Sequence, residues 1–142
     1  MGKCYNTVTV SASSDEVWKT LRDFHDMSWA EGVITSCEAV GETVGERVGA
    51  KRILNEAFHE TLLSLNDGER TLTYSIDDGP GPVAKDAVKN YVGKVRVSSN
   101  DRDGTTLVEW ESSYESPDEM AVGDFCNPIY QALLGALAKK FS

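Results

Sequence analysis

Glu60 lies between Phe58 and Leu62 in an alternating segment at residues 58–65. If those three side chains share the inner face of a strand, a carboxylate looks into apolar surroundings. Burial there raises its pKa and suits it to acid–base work. A register one residue away turns Glu60 to water and brings His59 inward instead. Tyr74, Tyr91, Tyr114 and Trp110 combine large apolar bodies with polar tips, which suits them to orient a guest in an apolar pocket. The same residues also serve as core aromatics with satisfied hydroxyls; both readings stand for Tyr91, and Tyr114, near the end of its segment, reads as core. His25 and His59 are the only histidines. Neither pairs with a nucleophile and a third group, and with scattered Asp and Glu they form no recognisable metal set. They read as surface or structural residues.

Residues 89–114 carry the clearest pattern. Two period-two segments flank a turn through Asn100, Asp101, Arg102, Asp103 and Gly104, the signature of a hairpin. Lys94 and Arg96 point to one side and Tyr91, Gly93, Val95 and Val97 to the other. Across the turn Glu109, Glu111 and Glu115 face out, while Val108, Trp110, Ser112 and Tyr114 face in. An inner face with phenols, an indole, a hydroxyl and a bare glycine differs from the Val, Ile and Leu of a face packed for stability alone, and fits a cavity wall. Gly93 marks a bend or a close backbone approach.

The remaining elements follow from periodicity. Residues 5–10 alternate as a strand. Ser13 or Ser14 caps a short amphipathic helix reaching about Phe24, with Asp15 and Glu16 at its positive end, and residues 25–30 form a further short helix or turn. Strands are expected at 33–40, 47–54, 58–65 and 70–76, with a tight hairpin signal at Asn66-Asp-Gly-Glu. Residues 77–88 are too rich in Gly and Pro for sheet, and so long a connection suggests a lid at Gly79–Pro82. Residues 116–119 open a long helix whose apolar stripe is Val122, Phe125, Cys126, Ile129, Leu133, Ala136 and Leu137. Pro128 is expected to kink or split it.

A chain of 142 residues with 40% hydrophobic and 26% charged residues reads as a single globular domain, residues 1–142. The net charge of -9 argues against nucleic acid and against an anionic membrane surface. No apolar run approaches the ~20 residues that span a bilayer, and no basic-then-apolar opening suggests a signal peptide. Cys4, Cys37 and Cys126 are odd in number and far apart, as expected of free thiols in a cytoplasmic protein.

In order and spacing, several segments resemble the START-like superfamily (SRPBCC, Bet v 1-like). Within it the chain looks most similar to the polyketide cyclase/dehydrase and lipid-transport group, and more distantly to plant abscisic acid receptors. Residues 8–19 (VTVSASSDEVWK) resemble the first strand and helix start, residues 45–52 (GERVGAKR) the third strand and residues 69–76 (ERTLTYSI) the fifth. Residues 90–97 (NYVGKVRV) and 106–110 (TLVEW) resemble the sixth and seventh. The resemblance implies an α+β helix-grip fold, a curved seven-stranded antiparallel sheet around a long C-terminal helix, with an internal, largely apolar pocket for lipids, hormones or polyketide-like molecules. It places Tyr91 and Gly93 in the pocket and Glu60 where the receptors hold a pocket carboxylate. Their ligand-pairing lysine is replaced by Glu31, and their gate loop is absent between Leu54 and Phe58, so abscisic acid is not the expected guest.

The resulting expectation is a binding or carrier protein for a small hydrophobic or amphipathic molecule. Its pocket would be lined by Glu60, Leu62, Tyr74, Ile76, Tyr91, Gly93, Val95, Trp110, Phe125, Ile129 and Leu133. The alternative is a cofactor-independent enzyme of the cyclase or dehydratase kind, with Glu60 and a tyrosine such as Tyr91 as acid and base. A third reading, a protein-binding module whose loop changes shape on ligand capture, is disfavoured by the missing gate, and no feature of the sequence supports a protein partner. No metal, cofactor, nucleic acid or stable membrane association is expected.

Overall fold

The computed structural model describes residues 1–100 and 102–142; Asp101, in the expected hairpin turn, lies outside the described residues. The chain forms β1 (Gly2–Val10), α1 (Ser14–Leu21), β2 (Cys37–Val40), β3 (Lys51–Leu54), β4 (Phe58–Asn66), β5 (Thr71–Asp78), β6 (Lys89–Asn100), β7 (Thr105–Glu115) and α2 (Glu119–Lys140), with one 3-10 turn at Gly81–Val83. All strands pair antiparallel in one sheet, ordered β1-β7-β6-β5-β4-β3-β2. β1 and β7 therefore bring the two ends of the fold together, from Gly2 opposite Tyr114 to Val10 opposite Thr106.

Alternation predicts the burial of the long strands. In β6 the residues Tyr91, Gly93, Val95 and Val97 are buried, and in β7 so are Val108, Trp110, Ser112 and Tyr114. This face, α1 and α2 enclose the core. Ser13 caps α1 by accepting from the Glu16 N–H at 3.2 Å, and Val17, Trp18 and Leu21 face inward. Asp67 in the β4–β5 turn ties this helix down, accepting from Trp18 Nε1 at 2.8 Å and Arg22 Nε at 2.9 Å. α2 is held to β1 by Asn6 Nδ2 donating to Asn127 Oδ1 at 2.9 Å.

The structure corrects several boundaries. α1 stops at Leu21, and the strands expected at 33–40 and 47–54 shrink to Cys37–Val40 and Lys51–Leu54. The apolar residues Val33 and Ile34 belong instead to turns, their N–H groups donating to Ala30 O at 3.1 and 3.0 Å. Gly49, at φ +96°, bends the chain into β3. The turn after Asn66 is wider than a two-residue hairpin, since Asn66 pairs with Thr71, and the left-handed residue is Arg70, not Gly68. α2 is not split at Pro128 but runs unbroken from Glu119 to Lys140. Pro128 and Asp124 are both on the exposed face, so the carbonyl that loses its donor is left to water rather than to the core.

Candidate functional site

The site is built from cross-strand rows on the concave face. A three-residue turn joins β3 to β4, with Asn55 and Glu56 at φ 53° and 58°, and this sets Arg52 directly opposite Glu60. Both side chains point inward and are 6% and 5% exposed. Arg52 Nε donates to Glu60 Oε1 at 2.9 Å and its Nη2 lies 2.7 Å from the same oxygen. Nη1 donates to Phe24 O at 3.0 Å and reaches Met27 Sδ at 3.3 Å. The guanidinium stacks 3.7 Å above the Phe24 ring centre, a contact strengthened by desolvation. Burial pushes the Glu60 carboxyl above its usual range, and the Arg52 charge pulls the other way.

A second row runs Leu62, Tyr74, Gly93, Ser112 and Cys4 across β4, β5, β6, β7 and β1. Gly93 is needed because the Tyr74 ring lies on it: a Cβ there would stand 2.2 Å from Tyr74 Cζ. Five polar groups form a row through the tip of this ring. Trp110 Nε1 donates to Tyr74 OH at 2.9 Å, and Tyr74 OH donates to Tyr130 OH at 3.4 Å. Tyr130 and Tyr91 hydroxyls are in close contact, and Tyr91 OH donates to Ser112 Oγ at 3.1 Å. An indole nitrogen only donates and each hydroxyl has a single proton. The order is therefore forced: Trp110 to Tyr74 to Tyr130 to Tyr91 to Ser112. Burial raises the pKa of Tyr74, Tyr91 and Tyr130, so all three remain phenols at neutral pH. Tyr130→Phe removes the middle of this relay and is expected to cost about 1–2 kcal/mol. A urea midpoint unchanged from wild type would show that the relay contributes nothing to stability.

Between these rows and α2 lies a cavity of about 130 Å³. Arg52, Glu60, Tyr74, Ile76 and Trp110 form its sheet wall, and Cys126, Ile129, Tyr130 and Leu133 its helix wall. Met27, Val33, Ile34, Leu54, Asn55 and Phe58 complete the rim. A smaller void of about 20 Å³, lined in part by Val95 and Trp29, adjoins it and shares Met27, Arg52, Tyr74 and Trp110. Burial pushes the Cys126 thiol up to about 11, which leaves it protonated and a poor nucleophile.

Of the residues singled out by sequence, Glu60, Tyr74, Ile76, Trp110, Ile129 and Leu133 stand on the cavity wall, and Val95 lines only the smaller void. Leu62, Tyr91, Gly93 and Phe125 are not on the wall. Leu62 is buried in the core, the Tyr74 ring covers Gly93, and Phe125 packs beside the rim residue Phe58, their ring centres 6.3 Å apart and the rings tilted by 31°. Tyr91 is one layer back, stacked 5.5 Å from Tyr114 and screened by Tyr130. His59 and Glu31 are exposed, and His25 Nε2 is bonded to Lys51 O at 2.8 Å. No residue of the Gly79–Pro82 loop lines the cavity. That loop is pinned by Asp78 Oδ1, which accepts from Gly79 N at 2.9 Å and Lys85 N at 3.0 Å, and by the fully buried Val83. Among the described residues no three His, Cys, Asp or Glu side chains gather as a metal site, and no helix is long and apolar enough to cross a membrane.

Sequence reasoning missed Arg52 and Tyr130. Arg52 was readable from period two, since it falls in phase with Ala50 and Leu54, both buried. Tyr130 follows Cys126 by four residues and precedes Leu133 by three, on the same helical face.

The model of the family described as polyketide cyclase/dehydrase and lipid transport matches residues 1–142. Among solved structures, a protein of Nitrosospira multiformis is 41% identical, at a TM-score of 0.96 over 99% of this chain and 96% of its own. XoxI of Bacillus cereus is 26% identical, at a TM-score of 0.81 over 99% and 96%. Norcoclaurine synthase of Thalictrum flavum, solved with dopamine and hydroxybenzaldehyde, is 16% identical at a TM-score of 0.73 over 96% and 84%, a likeness of fold alone. A comparison with curated proteins finds no match. A helix gripped by a curved seven-stranded sheet and a family match from end to end place this chain in the polyketide cyclase/dehydrase and lipid-transport family, with a helix-grip fold.

Proposed function

We propose that this domain binds and carries a small, mostly apolar molecule in the cavity between the sheet and α2. The observation that supports this most is the cavity itself, about 130 Å³ and lined chiefly by apolar side chains. Dry cavities of about 150 Å³ are known to take up benzene, so the space suits a guest the size of one ring. Toluene is a direct probe. In NMR titrations it is expected to shift the Trp110 indole and the methyl groups of Ile76, Ile129 and Leu133, leaving those of exposed Leu63 in place. No shift at the solubility limit of toluene would sink the binding reading.

The enzyme reading draws on Glu60, a carboxylate on the cavity wall with a raised pKa. It is weakened by the ion pair with Arg52 and by the place of Tyr91 behind Tyr130. Glu60→Gln would abolish turnover in a cyclase or dehydratase, whereas a carrier would hold toluene within about tenfold of wild type, or ~1.4 kcal/mol.

A further inference from the structure

The polar groups on the cavity wall are almost all committed, and the few that are not define the guest. Asn55 Nδ2 donates to Val33 O at 3.1 Å, and its Oδ1 accepts from the Thr35 N–H at 2.7 Å. The protons of Trp110, Tyr74 and Tyr130 are all used within the relay, so the two phenols turn only acceptor capacity toward the cavity. Both contacts of Glu60 use Oε1, and Oε2 has no hydrogen-bond partner among the described residues. Arg52 keeps one N–H of Nη2 beyond its bonds to Glu60, Phe24 and Met27. Besides the second N–H of Asn55 Nδ2 and the weakly donating Cys126 thiol, the wall thus presents three acceptors and one charged donor N–H, around a pair whose charges cancel.

We propose that the guest is an uncharged molecule of about one ring bearing a hydroxyl group, whose proton is taken by Glu60 Oε2 and whose oxygen faces Arg52 Nη2. This rests on the cavity being a binding site. A carboxylate guest would sit against the Glu60 carboxylate, and an ammonium guest against the Arg52 guanidinium. Neither finds a counter-charge that is not already paired, and an uncompensated charge is costly to bury. A plain hydrocarbon would leave Oε2 without a partner.

Four probes of one size separate these cases: phenol, toluene, benzoate and benzylamine, titrated against the wild-type protein by NMR. Phenol is expected to bind about tenfold or more tightly than toluene, the value of one hydrogen bond to a charged acceptor. Benzoate and benzylamine are expected to bind more weakly than phenol by at least a similar factor. Glu60→Gln removes the counter-charge of Arg52. In that variant benzoate should gain about tenfold or more and phenol should lose its advantage over toluene, while toluene binding within about tenfold of wild type shows that the cavity survives. If Glu60→Gln does not fold, the wild-type series decides alone. Toluene and phenol binding equally, or benzoate matching phenol, would overturn this inference and leave the binding function standing. Failure of all four probes would overturn both.

Discussion

Arg52→Ala is expected to destabilise the fold by about 3–5 kcal/mol, because it strands the Glu60 carboxylate inside the protein. The loss comes from the charge left behind more than from the bond removed. Changing both partners to apolar residues, Arg52→Met with Glu60→Leu, should therefore recover most of it. The pH dependence carries a sign that tests the cause. The folded-state pKa of Glu60 is already raised by burial, and loss of the guanidinium raises it further. A carboxyl whose folded pKa exceeds its unfolded value adds stability below the unfolded pKa, and that stability is lost as pH rises through the folded pKa. The deficit of Arg52→Ala relative to wild type should thus be largest at neutral or higher pH and shrink on acidification. Urea midpoints at unchanged slope measure this. A deficit below about 1 kcal/mol at neutral pH, in the range of an exposed pair, would mean that the pair is solvated.

Gly93→Val should cost about 3 kcal/mol, at the upper end of overpacking effects. Even the first added carbon would stand 2.2 Å from Tyr74 Cζ and 2.5 Å from its hydroxyl. The ring cannot retreat freely, since it meets Trp110 edge-on at 6.4 Å and Phe24 at 6.2 Å. Its displacement would also pull the hydroxyl from Trp110 Nε1. Stability and cavity occupancy should therefore fall together, with toluene affinity reporting the second. A Gly93→Val protein with wild-type stability and toluene affinity would show that Tyr74 has an alternative resting place.

The sheet was readable where one face is dry and the other wet. In β6 and β7 every second residue is buried, so alternation alone assigned their inner faces and the hairpin between them. The reading failed where burial is achieved without a ladder. Val33 and Ile34 have the composition of strand residues, yet they meet the core from a turn, and pattern cannot tell these apart. Arg52 was overlooked because a cation is ordinarily assigned to water. Its inward position makes sense only with Glu60 opposite, a pairing that depends on the length of the β3–β4 turn. Tyr91 illustrates the limit at the next level. Its inward face was legible, but whether an inward residue touches the cavity or lies behind another side chain depends on α2, and Tyr130 fills the place between.

The one-way order of the hydroxyls has a kinetic consequence. A loop of hydroxyls can reverse by turning every O–H together, but this row begins at an indole nitrogen that can never accept. The phenolic protons of Tyr74, Tyr130 and Tyr91 each have one acceptor in this order, and reversal would leave the Tyr74 proton without one in the row. Tyr91 lies behind Tyr130, so its proton should trade places with deuterium from solvent more slowly than those of the wall residues Tyr74 and Tyr130, and its lifetime reports opening between α2 and the sheet.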